Sequence, residues 1–232
     1  MKENPFISIV IANYNYGHLL PAAIESILHQ DCDDYEIIVV DGGSSDNSVE
    51  VIKRYADHIA WWVSEPDNGQ SDAFNKGFAH SRGKFLTWLN ADDLLLPGTI
   101  KAVKHALESH PECSWATGNM VRFLHADGKI IEAPWGPNYL PKCLQGTGRQ
   151  TIFFGPTTFW SREIYDAIGP IDESLHYAMD VDYWYRIDRA GYQQIRVNHP
   201  CWGFRMHEDS KTAEFGEHEK ADKGKIAMEK EK

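Results

Sequence analysis

Cysteine is scarce in this sequence: Cys32, Cys113, Cys143 and Cys201 are the full set, and no two of them form a C-x-x-C pair. That spacing argues against a disulfide framework or a cysteine zinc cage and points to reduced thiols. Long apolar runs are also missing, since none approaches the ~20 residues of a spanning helix, and the opening MKENPF has no signal-peptide core. A cytoplasmic protein is therefore expected, with no transmembrane segment. The third shortage is positive charge. The 23 Lys and Arg face 34 Asp and Glu, a formal net charge of −11, which would repel phosphate backbones and anionic headgroups and so excludes a nucleic-acid partner. A bound cation would offset that charge locally. No internal repeat is present. What remains is globular in composition: 232 residues, 42% hydrophobic and 25% charged, enough to bury one sizeable core.

Stretches 7–12 and 35–40 are apolar nearly throughout, as strands covered on both faces of a parallel sheet must be. Between them Pro21 opens a helix with Leu20, Ile24, Ile27 and Leu28 on one face, and 48–55 repeats the scheme. A strand over 59–63, a helix over 71–80, a strand over 84–89 and a helix over 99–109 continue the alternation. This predicts an α/β, doubly wound first half. Ligands of such sheets sit at the carboxyl ends of the strands, where Asn13, Asp41 and Asn90-Ala91-Asp92 fall. After Cys113 the period is lost. A hairpin turning at Asp127-Gly128 is expected, then a Gly/Pro-rich acceptor-side loop over 134–155, helices over 161–168 and 181–190, and a mixed-charge tail over 213–232.

The runs Ser8-Ile9-Val10-Ile11-Ala12-Asn13-Tyr14-Asn15, Ser26-Ile27-Leu28-His29-Gln30 and Asp41-Gly42-Gly43-Ser44-Ser45-Asp46 resemble the opening of glycosyltransferase family 2. So do Gly69-Gln70-Ser71-Asp72-Ala73-Phe74-Asn75-Lys76-Gly77, Leu89-Asn90-Ala91-Asp92-Asp93 and the stretch from Asp180 to Arg186, all in order over roughly residues 5–210. The resemblance implies a GT-A fold, Rossmann-like and doubly wound, with a mostly parallel sheet and helices on both faces. It also implies one domain over 1–212, with a nucleotide-sugar half (1–112) and an acceptor half (113–212). The implied activity is inverting transfer from a nucleoside-diphosphate sugar, UDP foremost, to a glycan, lipid-linked or small-molecule acceptor. Contact with the inner face of the cell membrane and a homodimer are left open.

Such chemistry needs a cation for the departing diphosphate and a base for the attacking hydroxyl. By resemblance Asp92 is the final aspartate of a D-x-D motif that holds Mn²⁺ or Mg²⁺. The motif's first acid is Asn90 here. On local sequence alone Asn90, Asp92 and Asp93 read first as caps of the next helix; the resemblance reverses that for Asp92 and leaves Asp93 undecided. The resemblance assigns Ala12, Asn13, Tyr14, Asp41, Asp72, Asn90 and Ala91 to the nucleotide sugar. Against this, Asp41 could simply form the turn before Gly42, Tyr14 could fill core, and Asp72 could answer a helix dipole. Asp180 matches the family's catalytic base, with Met179 where a glutamate is usual; its bland role is to cap the helix over 181–190. Asp182 reads as half of a surface i,i+4 pair with Arg186. His207, in Arg205-Met206-His207, resembles a late element near the donor phosphates and is a candidate metal ligand, or else a surface residue. Phe153, Phe154 and Trp160 could stack on sugar rings. Asn90 and Met179 also leave room for a second reading, an inactive GT-A module that binds a nucleotide sugar or a partner enzyme.

Overall fold

The computed structural model describes residues 4–126, 128–132, 155–208 and 210. Strands β1 (Ile7–Asn13), β2 (Tyr35–Asp41), β3 (Trp61–Ser64) and β4 (Phe85–Asn90) alternate with helices α1 (Leu20–Leu28), α2 (Ser48–Arg54) and α3 (Gln70–His80). They lie parallel in the order β3-β2-β1-β4. The central strands are apolar on both sides because both sides are covered. Leu20, Ile24 and Ile27 of α1, Val51 and Ile52 of α2, and Ile100 and Val103 of α4 (Thr99–Ser109) pack with Ile7, Ile9, Ile11, Ile37 and Val39. On the other side Phe74 and Phe78 of α3 join Val10, Ile38 and Val40. Pro21 stands in the first turn of α1, where its missing N–H costs no hydrogen bond.

Beyond β4 the sheet becomes mixed. β8 (Thr158–Ser161) runs antiparallel to β4 and to β6 (Trp115–Leu124), while β9 (Gln194–Met206) is parallel to β6. The two-residue β5 (Leu94–Leu95) pairs antiparallel with β9, and β7 (Ile130–Glu132) forms the expected hairpin with β6. Helices α5 (Arg162–Ile168) and α6 (Met179–Arg189) cover the face that α3 covers, through Ile164, Tyr183, Trp184 and Ile187. Ser161 caps α5 by accepting from Ile164 N at 3.2 Å. The sequence pattern hid β9. Pro200 and Gly203 interrupt its alternation, and Pro200 sits opposite Asn119 where the register of the pair with β6 shifts, a site that tolerates a residue without an N–H. The loop expected over 134–155 falls outside the described residues save Gly155, as does the tail over 213–232.

Helix α3 lies against β1 so tightly that a Cβ on Gly77 would stand 2.2 Å from Val10 Cγ1. Gly77→Ala therefore forces buried atoms apart, at about 1–3 kcal/mol, against a helix-propensity gain of about 1 kcal/mol at most. The melting temperature should fall by a few degrees. Adding Val10→Ala, which deletes the two clashing methyls, should recover part of that loss in the same melting experiment; no loss from Gly77→Ala would contradict the packing.

Candidate active site

The carboxyl ends of the parallel strands lie in one row, because the register sets Asn13 opposite Asp41, Asp41 opposite Ser64 and Ala12 opposite Asn90. Above that row opens a cleft of about 1030 Å³, lined in part by Ala12, Asn13, Tyr14, Asn90, Ala91 and Asp92. This size suits a nucleotide-sized ligand. Tyr14 is 61% exposed, so it fills no core and offers its ring to the cleft. Asp41 lies beneath. It is 0% exposed, and its carboxylate accepts from Asn13 Nδ2 (2.7 Å), Ser44 N (3.0 Å), Ser44 Oγ (2.5 Å) and Ser64 Oγ (2.6 Å). Asp41 thus pins the ends of three strands under the floor.

The turn after β4 is held from β9. Arg205 Nε donates to the Asp92 carbonyl (2.6 Å), and Arg205 N to Asp93 Oδ1 (3.0 Å). Asn90 accepts from Gln70 Nε2 (2.8 Å) and donates through Nδ2 to Asp93 Oδ2 (2.8 Å). The amide at position 90 thus supplies a donor to Asp93 and an acceptor to Gln70 at once, whereas a carboxylate there only accepts unless it holds a proton. Burial, and then the neighbouring charge of Asp92, push the Asp93 carboxyl well above the usual carboxylate range. Asp93 is therefore a structural partner of Asn90 and Arg205. Asp92 instead reaches the cleft, and His207 at the end of β9 places Nε2 3.1 Å from Asp92 Oδ2. The His207 ring meets Tyr16 edge-on, with centroids 5.6 Å apart. Adjacent donors on an octahedral ion bonded at about 2.1 Å lie about 3 Å apart, so this oxygen and nitrogen fit one Mn²⁺ or Mg²⁺. Among the described residues no group of three or more His, Cys, Asp or Glu could hold a metal unaided. Oxygens of a ligand would complete the shell.

Asp180 lines the same cleft. It does not cap α6: the helix begins at Met179 with Ala178 at the cap, and Asp180 Oδ1 accepts from Val181 N at 2.8 Å within the first turn. A carboxylate there is stabilised by the helix dipole. Met179 is buried, with Sδ 3.0 Å from Ser71 Oγ. Asp182 does pair with Arg186 (2.9 Å), but it is buried, because Arg186 also donates to the carbonyls of Ile168 and Pro170. Asp72 is not among the cleft-lining side chains. It accepts from Asn68 N (2.9 Å) and pairs with Lys76 (3.5 Å), which favours its helix-start role. Trp160 cannot stack on a sugar: it is 0% exposed, packed against Phe78, Trp88, Tyr183 and Trp184. Phe153 and Phe154 lie outside the described residues.

Several lining residues went unforeseen: Asp67, Gln70, Trp88, His176, Trp202 and Phe204. Asp67 follows the carboxyl end of β3, so the positional rule that selects Asn13 and Asn90 would have selected it too. Trp202 and Phe204 belong to the hidden strand β9.

The profile of "Glycosyl transferase family 2" matches residues 8–169. An uncharacterized glycosyltransferase of Nostoc sp. is 32% identical over 182 residues, covering 72% of this chain and 54% of the relative. A PGL/p-HBAD biosynthesis glycosyltransferase of Mycobacterium bovis is 28% identical over 186 residues, covering 77% and 68%. The chain spans about half the length of the Nostoc relative and 62% of a similar one from Rickettsia typhi. Among solved structures, S. aureus TarS 1-349 in complex with UDP-GlcNAc superposes with a TM-score of 0.74 at 16% identity, over 91% of this chain and 61% of that one. The mannosyltransferase PcManGT from Pyrobaculum calidifontis, in complex with GDP-Man and Mn²⁺, gives 0.68 at 20% identity, over 91% and 60%. At these identities the likeness carries the fold.

Proposed function

Because this chain belongs to glycosyltransferase family 2, we propose that it moves a sugar from a nucleoside-diphosphate donor, UDP-linked foremost, onto an acceptor hydroxyl with inversion. Its fold is the GT-A fold. The observation that carries the reading is that one cleft holds both Asp92, with His207 at its side, and Asp180. Asp92 and His207 would hold the cation, whose contribution is to neutralise the leaving diphosphate. Tyr14 and the backbone of Ala12 and Asn13 flank the nucleoside, and Asp41 keeps that floor in place. Asp180 receives the acceptor's proton as the hydroxyl oxygen bonds the anomeric carbon and the bond to phosphate breaks. The acceptor, a glycan, a lipid-linked glycan or a small molecule, enters on the side of Asp180. No helix among the described residues is long and apolar enough to cross a membrane.

The complexes of the neighbours with UDP-GlcNAc and with GDP-Man and Mn²⁺ support a nucleotide-sugar donor and a divalent ion. Of the two departures from family pattern, Asn90 sits in a hydrogen-bond chain, and Met179 packs into the core while also lining the cleft beside Asp180; the inactive module rests on that second position. A chain of net charge −11 with Asp67 and Asp92 at the cleft repels a bare diphosphate. Calorimetry should therefore show UDP binding at least about tenfold weaker in EDTA than in Mn²⁺. Equal affinity in both would remove Asp92 as a metal ligand.

A further inference from the structure

Gly42 follows β2 on the cleft floor, and a Cβ built on it would stand 2.6 Å from Asp67 Oδ2. The missing side chain is thus the space in which the Asp67 carboxylate lies. Asp67 Oδ1 accepts from Gly69 N at 2.9 Å, which fixes the carboxylate plane; among the described residues Oδ2 has no hydrogen-bond donor. Gly42, Gly43 and Gly69 leave the surrounding floor without side chains, and the exposed ring of Tyr14 lines the same cleft. A flat ring has room to lie here. The Asp67 carboxylate lies over Gly42, which follows β2, and Asp92 follows β4, two strand positions away in the order β3-β2-β1-β4. At about 4.8 Å per position the two carboxylates are about 10 Å apart, within the span of a nucleoside diphosphate from base to phosphates. A nucleotide with its phosphates at Asp92 therefore brings its base to Asp67.

We propose that Asp67, seated over Gly42, selects the donor's nucleobase by accepting the ring N–H of its Watson–Crick edge. The inference rests on the nucleotide-sugar reading above. A carboxylate only accepts. Uracil, thymine and guanine present an N–H at the central ring position of that edge; cytosine and adenine present a lone pair, which would face Oδ2 with no proton between them. The unpaired acceptor and the desolvated carboxylate then cost the wrong base affinity.

Calorimetric titration of UDP, dTDP, GDP, CDP and ADP in Mn²⁺ tests this on three proteins. In the wild type the tightest of UDP, dTDP and GDP should bind about 10- to 100-fold more strongly than CDP and ADP, and its identity names the base. Asp67→Asn keeps the acceptor for Gly69 and turns Oδ2 into an amide donor, so the margin over CDP should shrink at least tenfold. Gly42→Ala displaces the carboxylate without changing charge, at little cost to folding because the clash is with a side-chain end, and should shrink the margin too. A wild type that binds CDP as well as the others, or a margin unchanged in both variants, overturns the role of Asp67 and leaves the nucleotide reading standing. If folded wild-type protein binds none of the five, both fall.

Discussion

Replacing Asp180 by Asn should lower kcat by about 10² to 10⁴ while donor affinity stays as it was. The carboxylate acts on the acceptor hydroxyl, so its contribution is made mainly in the transition state, and the nucleotide is held elsewhere on the cleft. Loss of fold does not explain such a result. The Asn side chain can still accept from Val181 N, which Asp180 Oδ1 does at 2.8 Å. What disappears is one negative charge in the first turn of α6, about 0.3–1 kcal/mol of dipole interaction, and hence a few degrees of melting temperature at most. Turnover, UDP affinity and melting temperature measured on that one variant decide the matter: an unchanged kcat removes Asp180 from the mechanism.

Asp92→Asn should act on the other side of the reaction. Metal-dependent turnover should fall by about 10³ or more, the effect of losing about 4 kcal/mol of stabilisation of the departing charge. The turn itself should stand, because Arg205 grips the backbone carbonyl of Asp92, which the substitution leaves in place. Unlike Asp180→Asn, this variant should also bind UDP more weakly in Mn²⁺ and show little response to EDTA. Wild-type turnover at saturating Mn²⁺ would sink the assignment.

The parallel half of the fold was legible because its signals are local. Apolar strand, polar end and amphipathic helix recur four times, and the helix over 99–109 falls where the pattern puts it. The same rule placed Asn13, Asp41 and Asn90 at the ligand side. Their separate duties were not legible, since residue type does not reveal whether a carboxylate at a strand end opens to the cleft, as Asp92 does, or is roofed over by Ser44 and Ser64, as Asp41 is. The second half was obscure for a different reason. β8 is four residues long and β9 carries Pro200 and Gly203, so their strand character comes from pairing with β6 rather than from pattern. His207 was flagged by resemblance, but its encounter with Asp92 depends on β9, 115 residues away in sequence. Asp182 shows the converse error: the spacing to Arg186 was right and the exposure was wrong, because the carbonyls that draw Arg186 inward come from the end of α5 and the turn after it.

Trp88 lines the cleft while lying nearly parallel to Trp184, with centroids 4.9 Å apart and an interplanar angle of 14°. Trp160 stands at 5.3 Å from the first and 5.2 Å from the second, edge-on to both. Indoles this close pass excitation among themselves, and of the three only Trp88, 2% exposed, borders the cleft. A ligand that settles against Trp88 therefore touches the one member of the trio through which cleft occupancy can reach the chain's intrinsic fluorescence.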